Sequence, residues 1–88
     1  MRLHQLFDDL DARTAILKAQ QDASERLSRL SPQQRAVLDA MLDGNSNKMI
    51  AYHLGIATRT VENHRAEIMR KLDIRSVAAA LRLVVIAD

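Results

Sequence analysis

The fold of this 88-residue chain is decided by residues 46–72, SNKMIAYHLGIATRTVENHRAEIMRKL. Apolar residues recur there at the spacing of one helical face, first over residues 46–54 and again over residues 58–72. Gly55 lies in the connection between the two segments, where it permits a left-handed backbone. Ile56 follows it and is expected to fill the angle between two helices. The stretch therefore predicts two helices joined by a tight turn.

The second helix of this pair has two distinct faces. Val61, Ile68 and Leu72 form an apolar stripe that is expected to face the core. The opposite face is polar apart from one small residue, and it carries Arg59, Glu62, Asn63, Ala66 and Arg70. A small side chain among polar ones allows close approach to base edges in a DNA groove about 12 Å wide. A polar face that is merely solvated has the same periodicity, so that alternative stays open.

Two more helices are predicted around this pair. Ser31-Pro32-Gln33-Gln34 opens one of them with a capping box and a proline at the first helical position, and Gly44 ends it. Ser76 is predicted to cap a last helix over residues 77–87. The four helices together predict an all-α domain over residues 30–88.

Residues 1–29 are predicted to form a helical linker or extension in front of this domain. They contain neither Gly nor Pro, and a helix break is expected near Asp8–Asp11, where an acidic residue can cap a second helix. Arg13 and Gln20 fall on the seam of the apolar heptad pattern, which argues against a long coiled coil. We therefore favour a helix that packs weakly on the rest of the chain.

Composition and charge limit the classes of function. The chain has no Cys, so it has no disulfide and no Cys-based zinc site. The net charge is +2, but residues 44–82 carry seven basic groups against three acidic ones, while residues 1–30 are balanced. Such a concentration is typical of a phosphate-binding surface, and also of many solvated helices, so both alternatives stay open. With no readable signal peptide and no membrane-spanning run, we expect a cytoplasmic protein that makes no contact with membranes.

Patterns of catalytic or metal-binding residues are missing from the sequence. His4, His53 and His64 fall in different predicted helices and lack the HExxH spacing of zinc enzymes. Neither a Ser/His/Asp arrangement nor a glycine-rich phosphate loop is present. The sequence therefore predicts no enzyme, no metal site, no cofactor and no small-molecule substrate.

Several strings within the domain resemble a known bacterial family. They are LSPQQRAVL at 30–38, NK-x-IA at 47–51, LGI at 54–56, TRTVENHR at 58–65 and MRKL at 69–72. Together they resemble the LuxR-type helix-turn-helix family, and most of all its FixJ-like response-regulator branch. The resemblance covers Leu30 to about Leu83. It implies a four-helix LuxR/GerE-type domain whose helix at about 58–72 enters the DNA major groove.

The resemblance also implies roles for single residues. Base contacts are implied for Glu62, Asn63 and Ala66. Double-stranded DNA is the implied partner, with two subunits paired through the last helix, and RNA polymerase is a further candidate partner. Arg59 joins the phosphate contacts because of its place at one end of the exposed face. The implied phosphate contacts are then Lys48, Arg59, Thr60, Arg65, Arg70 and Lys71.

Three positions depart from the family's usual pattern. Ala57 stands where a capping Ser is common, so we expect Thr58 to cap instead or the helix start to fray. Gln34 replaces a common Glu and keeps its capping role, and Asp73 replaces a common Gly at a turn. These changes are expected to affect local stability and to leave the implied DNA contacts in place.

The last predicted helix is apolar on nearly every side, with Arg82 as its only polar interior residue. A helix of this kind is buried on more than one side, and three other short helices cover only one. A partner subunit is the natural cover, and the alternative is that residues 3–27 fold back over the helix. The residues expected to meet the partner are Val77, Ala80, Leu81, Leu83 and Val84.

The sequence therefore favours a sequence-specific DNA-binding transcriptional regulator, or the effector domain of a two-component response regulator. No βαβ pattern precedes Leu30, so a receiver domain is not expected within this chain. A sigma-factor-like promoter-recognition domain is one alternative, which the apolar last helix argues against. A protein-interaction module of the same fold is another, supported by the acidic residues Glu62 and Glu67 on the exposed helix.

Overall fold

Five helices build the chain in the computed structural model, which describes residues 2–87 and the surroundings of side chains 10–87. No strand forms within this range, and none of its helices is both long enough and apolar enough to cross a membrane. The last four helices are the predicted four-helix domain, preceded by one helical extension. The helices are α1 Arg2–Ser28, α2 Pro32–Leu42, α3 Asn47–Leu54, α4 Thr58–Leu72 and α5 Val77–Ala87.

Serine side chains cap three of these helices, and two of them, Ser31 and Ser76, are the predicted caps. In the capping box, Ser31 Oγ accepts a hydrogen bond from Gln34 N, and Gln34 Oε1 accepts one from Ser31 N, each of 3.1 Å. Ser46 Oγ caps α3 and Ser76 Oγ caps α5, in each case through the amide three residues later. Because each cap satisfies an amide that has no partner within the helix, these short helices begin at defined residues.

The turns before and after α4 use three different residues. Gly55 ends α3 in the left-handed conformation, with φ of 66°. Asp73 adopts the same conformation after α4, with φ of 53°, which Asp tolerates better than most non-glycine residues. Ala57 precedes α4 without a side-chain cap. The expectation that Thr58 caps is wrong, because Thr58 is already the first helical residue and a cap lies one residue earlier.

The core lies between α2, α3 and α4, where six large side chains are less than 2% exposed. The three contributed by α4 are the predicted apolar stripe, which is thereby confirmed. Ile56 packs against this core from the turn between α3 and α4. One face of α4 is thus anchored in the core, and the opposite face is exposed at the surface. The six core side chains are Val37, Leu38, Ile50, Val61, Ile68 and Leu72.

The extension α1 is one uninterrupted helix of 27 residues. The break expected near Asp8–Asp11 is wrong, because acidic residues are tolerated inside a helix and nothing there interrupts the backbone ladder. The first described half of α1 is exposed, but Ala23 and Leu27 are buried in the domain core. The end of α1 is therefore an integral part of the domain, whereas the sequence predicted a weakly packed helix.

Burial of α5 comes from within the subunit, since α1 and α2 pack against one side of it. Ala80 and Leu83 are 0% and 9% exposed, so two of the five residues assigned to a partner contact lie in the subunit's own core. The assignment of Ala80 and Leu83 to a partner contact is therefore corrected. The structure has the alternative arrangement, in which the N-terminal helix α1 folds back over α5. Val77 and Leu81 remain exposed, and Val84 is partly buried.

Candidate nucleic-acid interface

The outer face of α4 brings together five of the residues that the sequence assigned to DNA contact. All five are exposed, while the stripe on the other side of the helix is fully buried. At 1.5 Å per residue, the face extends over roughly 16 Å from its first residue to its last. The helix therefore presents a rigid row of polar groups whose spacing is set by the backbone. These residues are Arg59, Glu62, Asn63, Ala66 and Arg70.

At the C-terminal end of this face, Arg70 is paired with Glu67. Arg70 Nη2 lies 2.7 Å from Glu67 Oε2, an i,i+3 ion pair on the helix surface. The hydrogen bond from Arg70 and then its charge hold the pKa of the Glu67 carboxyl below its ordinary value. Glu67 thus stays ionised at neutral pH and offsets the positive charge of Arg70. The i,i+3 spacing of Glu67 and Arg70 in the sequence is the local signal for this ion pair.

Near the N-terminus of α3, Arg65 is joined to Asn47. Arg65 Nη1 donates to Asn47 Oδ1 over 3.1 Å, which connects α4 with the first residue of α3. Lys48 is the next residue along α3, and its side chain is exposed. The bond orients the guanidinium group of Arg65 toward the first residue of α3, which Lys48 follows in the sequence. Sequence reasoning missed this role of Asn47 because the two partners are 18 residues apart.

Like Arg65 and Arg70, Lys71 has hydrogen-bond acceptors within the chain, but both of its acceptors lie outside the α3–α4 pair. Lys71 Nζ donates to Gln34 Oε1 over 2.8 Å and to the carbonyl of Arg29 over 3.2 Å. The side chain is therefore directed to the place where the end of α1 meets the start of α2. These bonds could not be predicted from the sequence, because the partners of Lys71 lie 37 and 42 residues away from it.

The histidines do not form a metal centre in the described part of the chain, where no three His, Asp or Glu side chains come together suitably. His64 Nε2 lies 3.2 Å from Gln33 Oε1 and so links α4 to α2. His53 packs edge-on against Tyr52, whose side chain is 79% exposed on α3. Tyr52 lies outside the buried apolar stripe of α3, which Ile50 and Ala51 form.

Known bacterial proteins resemble this chain in sequence and in fold. A family model described as "Bacterial regulatory proteins, luxR family" matches residues 28–84. The transcriptional regulatory protein FixJ of Azorhizobium caulinodans is 39% identical over 69 residues, which are 78% of this chain and 33% of FixJ. The C4-dicarboxylate transport transcriptional regulatory protein DctR of Rhodobacter capsulatus is 38% identical over 73 residues, 83% of this chain and 37% of DctR.

Among solved structures, full-length FixJ from B. japonicum is similar with a TM-score of 0.80 at 31% identity. The match covers 98% of this chain and 44% of that protein. The chain therefore spans only about a third of the length of the curated relatives it matches, 33% of FixJ and 37% of DctR. The family match contains all of α2, α3 and α4, and with them the whole outer face described above. The chain belongs to the LuxR family of bacterial regulatory proteins and carries the helix-turn-helix DNA-binding domain of that family.

Proposed function

We propose that this chain is the DNA-binding effector part of a bacterial transcriptional regulator and that α4 lies in the DNA major groove. The observation that carries the proposal is the division of α4 into a fully buried face and an opposite, exposed polar face. A helix anchored in this way enters the groove without loss of its core contacts. The chain has a binding role in this proposal and catalyses no reaction, and it acts in the cytoplasm, where bacterial DNA lies.

The centre of the exposed face is suited to reading bases. Asn63 can form two hydrogen bonds with adenine, and Glu62 can accept one from cytosine N4. Ala66 leaves room for this approach or contacts a thymine methyl group. Because these three side chains are exposed and close together on one face, we assign base recognition to them.

Cations around this centre are assigned to phosphate contacts, which fix the position of the helix on the duplex. Arg59 and Arg70 lie toward the two ends of the exposed face. Lys48 lies at the start of α3, where Arg65 of α4 donates a hydrogen bond to Asn47. Thr60 can add a neutral hydrogen bond from the first turn of α4. Arg70 must exchange its ion pair with the Glu67 carboxylate for a phosphate contact, whereas Arg65 is bonded to the neutral amide of Asn47. We therefore expect Arg70 to contribute less than Arg65.

Replacing Lys48 or Arg65 with Ala is expected to weaken binding to all DNA sequences by similar factors. Each neutralised phosphate releases condensed counterions, so each variant should flatten the slope of log affinity against log salt by about one unit. Fluorescence anisotropy at several salt concentrations measures the slope. Lys18→Ala, which removes the same charge from the exposed face of α1, serves as the control and should leave it unchanged. Wild-type slopes for both Lys48→Ala and Arg65→Ala would refute the phosphate assignment.

We further propose that two subunits pair through the exposed edge of α5. Val77, Leu81 and Val85 follow one another at i, i+4 and i+8 and are 36%, 49% and 65% exposed. Val84 flanks this row and is only partly covered. An apolar row of this kind on a small domain is typical of a surface that another subunit covers.

Leu81→Arg is expected to convert the dimer to a monomer, because it places a charge in the middle of the apolar row. The helical content should stay near that of the wild type, since Leu81 lies outside the core. Sedimentation velocity with and without DNA gives the oligomeric state, and circular dichroism gives the helical content. Leu10→Arg makes the same chemical change at an exposed position of α1 and should leave the dimer intact. A dimer broken by Leu10→Arg and not by Leu81→Arg would move the interface to α1.

A protein-interaction role for the same fold makes a different prediction in these assays. It requires that the wild-type domain fail to bind DNA at any salt concentration. The sigma-factor alternative has lost its support, because the matching family is one of regulatory proteins. An RNA polymerase contact would belong to an activator that is already bound to DNA, and no residue is assigned to it.

A further inference from the structure

The C-terminal ends of α1 and α4 are joined by hydrogen bonds between residues far apart in the sequence. Arg26 Nη1 donates to the carbonyl oxygen of Leu72 over 3.1 Å, across 46 residues. Arg29 Nη1 reaches the carbonyl of Lys71 at 3.5 Å, and Lys71 Nζ donates back to the carbonyl of Arg29 at 3.2 Å. The DNA-reading helix is thus held at its last turn by the helix that precedes the domain.

These bonds complete the end of α4. The last carbonyls of a helix have no partner within it, and together they carry a partial negative charge. Two of these carbonyls are satisfied by the turn after α4, where the amide of Asp73 donates to the carbonyl of Arg70 and the amide of Ile74 donates to the carbonyl of Met69. The guanidinium groups of Arg26, in the last turn of α1, and of Arg29, just after α1, are directed to the next two carbonyls. A cation at a helix C-terminus also interacts favourably with the helix dipole. The contact therefore stabilises this end of α4 both by hydrogen bonding and by charge.

Lys71 extends the same contact to α2. Its ammonium donates to Gln34 Oε1, the atom that also accepts the amide of Ser31 in the capping box. Gln34 is only 8% exposed, so the shared acceptor lies inside the domain. Arg26 is oriented from its own helix by Asp22, with Nε and Oδ2 3.1 Å apart. The end of α4 is therefore fixed against both neighbouring helices by oriented, partly buried groups.

We propose that Arg26 and Lys71 are positioning residues, which hold the C-terminal end of α4 against α1 and α2 and so set the angle at which α4 meets DNA. This inference rests on the proposed function of α4. Neither side chain contacts DNA, and Lys71 thus loses the phosphate contact that the family resemblance implied for it. Since α1 is continuous up to this contact, a displacement of α1 shifts the DNA-reading helix, and the affinity for DNA follows the position of the preceding segment.

The test replaces the donors and keeps the apolar stems of the side chains, with Arg26→Met and Lys71→Met. Affinity for a duplex that the wild type selects from a random-sequence library should fall about two- to tenfold in each variant. The slope of log affinity against log salt should change by less than about half a unit, whereas a lost phosphate contact changes it by about one. Arg26→Lys, which can still donate to the Leu72 carbonyl, should recover most of the affinity.

Two further measurements separate positioning from a general loss of structure. The NMR amide signals of residues 69–74 should shift in Arg26→Met and in Lys71→Met, while circular dichroism stays that of a folded domain. Arg13→Met is the matched control, because it removes the same group from α1 about 20 Å from Arg26 along the helix. It should change neither the affinity for the selected duplex nor these amide signals.

Each outcome decides between the proposals. Wild-type affinity in both folded Met variants would overturn the positioning role, and so would a slope that falls by a full unit, which would make the residue a phosphate contact. Failure of the wild type to bind any duplex would instead remove the proposed function itself. If Arg26→Met does not fold, Lys71→Met tests the same contact from α4.

Discussion

Ile68→Ala is expected to lower the free energy of unfolding by about 2–5 kcal/mol and Tm by roughly 10 °C or more. Ile68 is 0% exposed and lies on the inner face of α4, where it packs with the side chains of α2 and α3. Removing three carbons there loses apolar burial and leaves a cavity that the surrounding helices only partly close. Small domains have total stabilities of about 5–15 kcal/mol, so the loss is a large fraction of the whole.

The matched control is Ile16→Ala, since Ile16 is the same residue on α1 with 57% of its surface exposed. The stability of this variant should stay within about 0.5 kcal/mol of the wild type. Urea denaturation followed by circular dichroism measures both changes. Ile68→Ala should still bind DNA at low temperature with near wild-type affinity, because Ile68 lies opposite the exposed face. Equal losses in the two variants would mean that α4 is not anchored by its inner face.

Local signals in the sequence were sufficient for most of the domain. Ser31 and Ser76, each followed by an apolar pattern, predicted the starts of α2 and α5, since capping involves atoms within four residues of each other. The apolar pattern alone placed the start of α3 near Ser46. The stripe of Val61, Ile68 and Leu72 gave both faces of α4 for the same reason. The exposure of Asn63 and its neighbours on the outer face therefore followed from the sequence.

Features that depend on packing between distant segments could not be predicted from local patterns in the sequence. The apolar residues of α5 indicated that it is covered, but they did not say whether α1 or a second subunit covers Ala80 and Leu83. The bond from Arg65 to Asn47 and the two bonds of Lys71 join residues 18 to 42 positions apart. Basic residues in this chain thus look alike in the sequence and differ in the structure, where the side chain of Lys48 is exposed and that of Lys71 donates hydrogen bonds to other helical segments.

Asn63→Ala is expected to cost roughly 1–3 kcal/mol on the preferred DNA site and much less on unrelated DNA. Asn63 is exposed at the centre of the outer face of α4, next to Glu62 and one turn before the small residue Ala66. An Asn amide that pairs with adenine donates and accepts at once, and no other base offers that pattern at the same edge. Ala cannot replace either hydrogen bond, so the loss falls on the cognate base pair.

Arg70→Ala is the control on the same helix, since Arg70 lies at the end of this face and is paired with Glu67. It should lower the affinity for preferred and unrelated DNA by similar factors, because a phosphate contact carries no sequence information. Selection of bound duplexes from a random library gives the preferred site, and titrations at one fixed salt concentration compare the two variants on both kinds of DNA. If Asn63→Ala weakened all DNA equally and Arg70→Ala relaxed the sequence preference, α4 would have to enter the groove by its C-terminal end. That result would reverse the assignment of base and phosphate contacts along the helix.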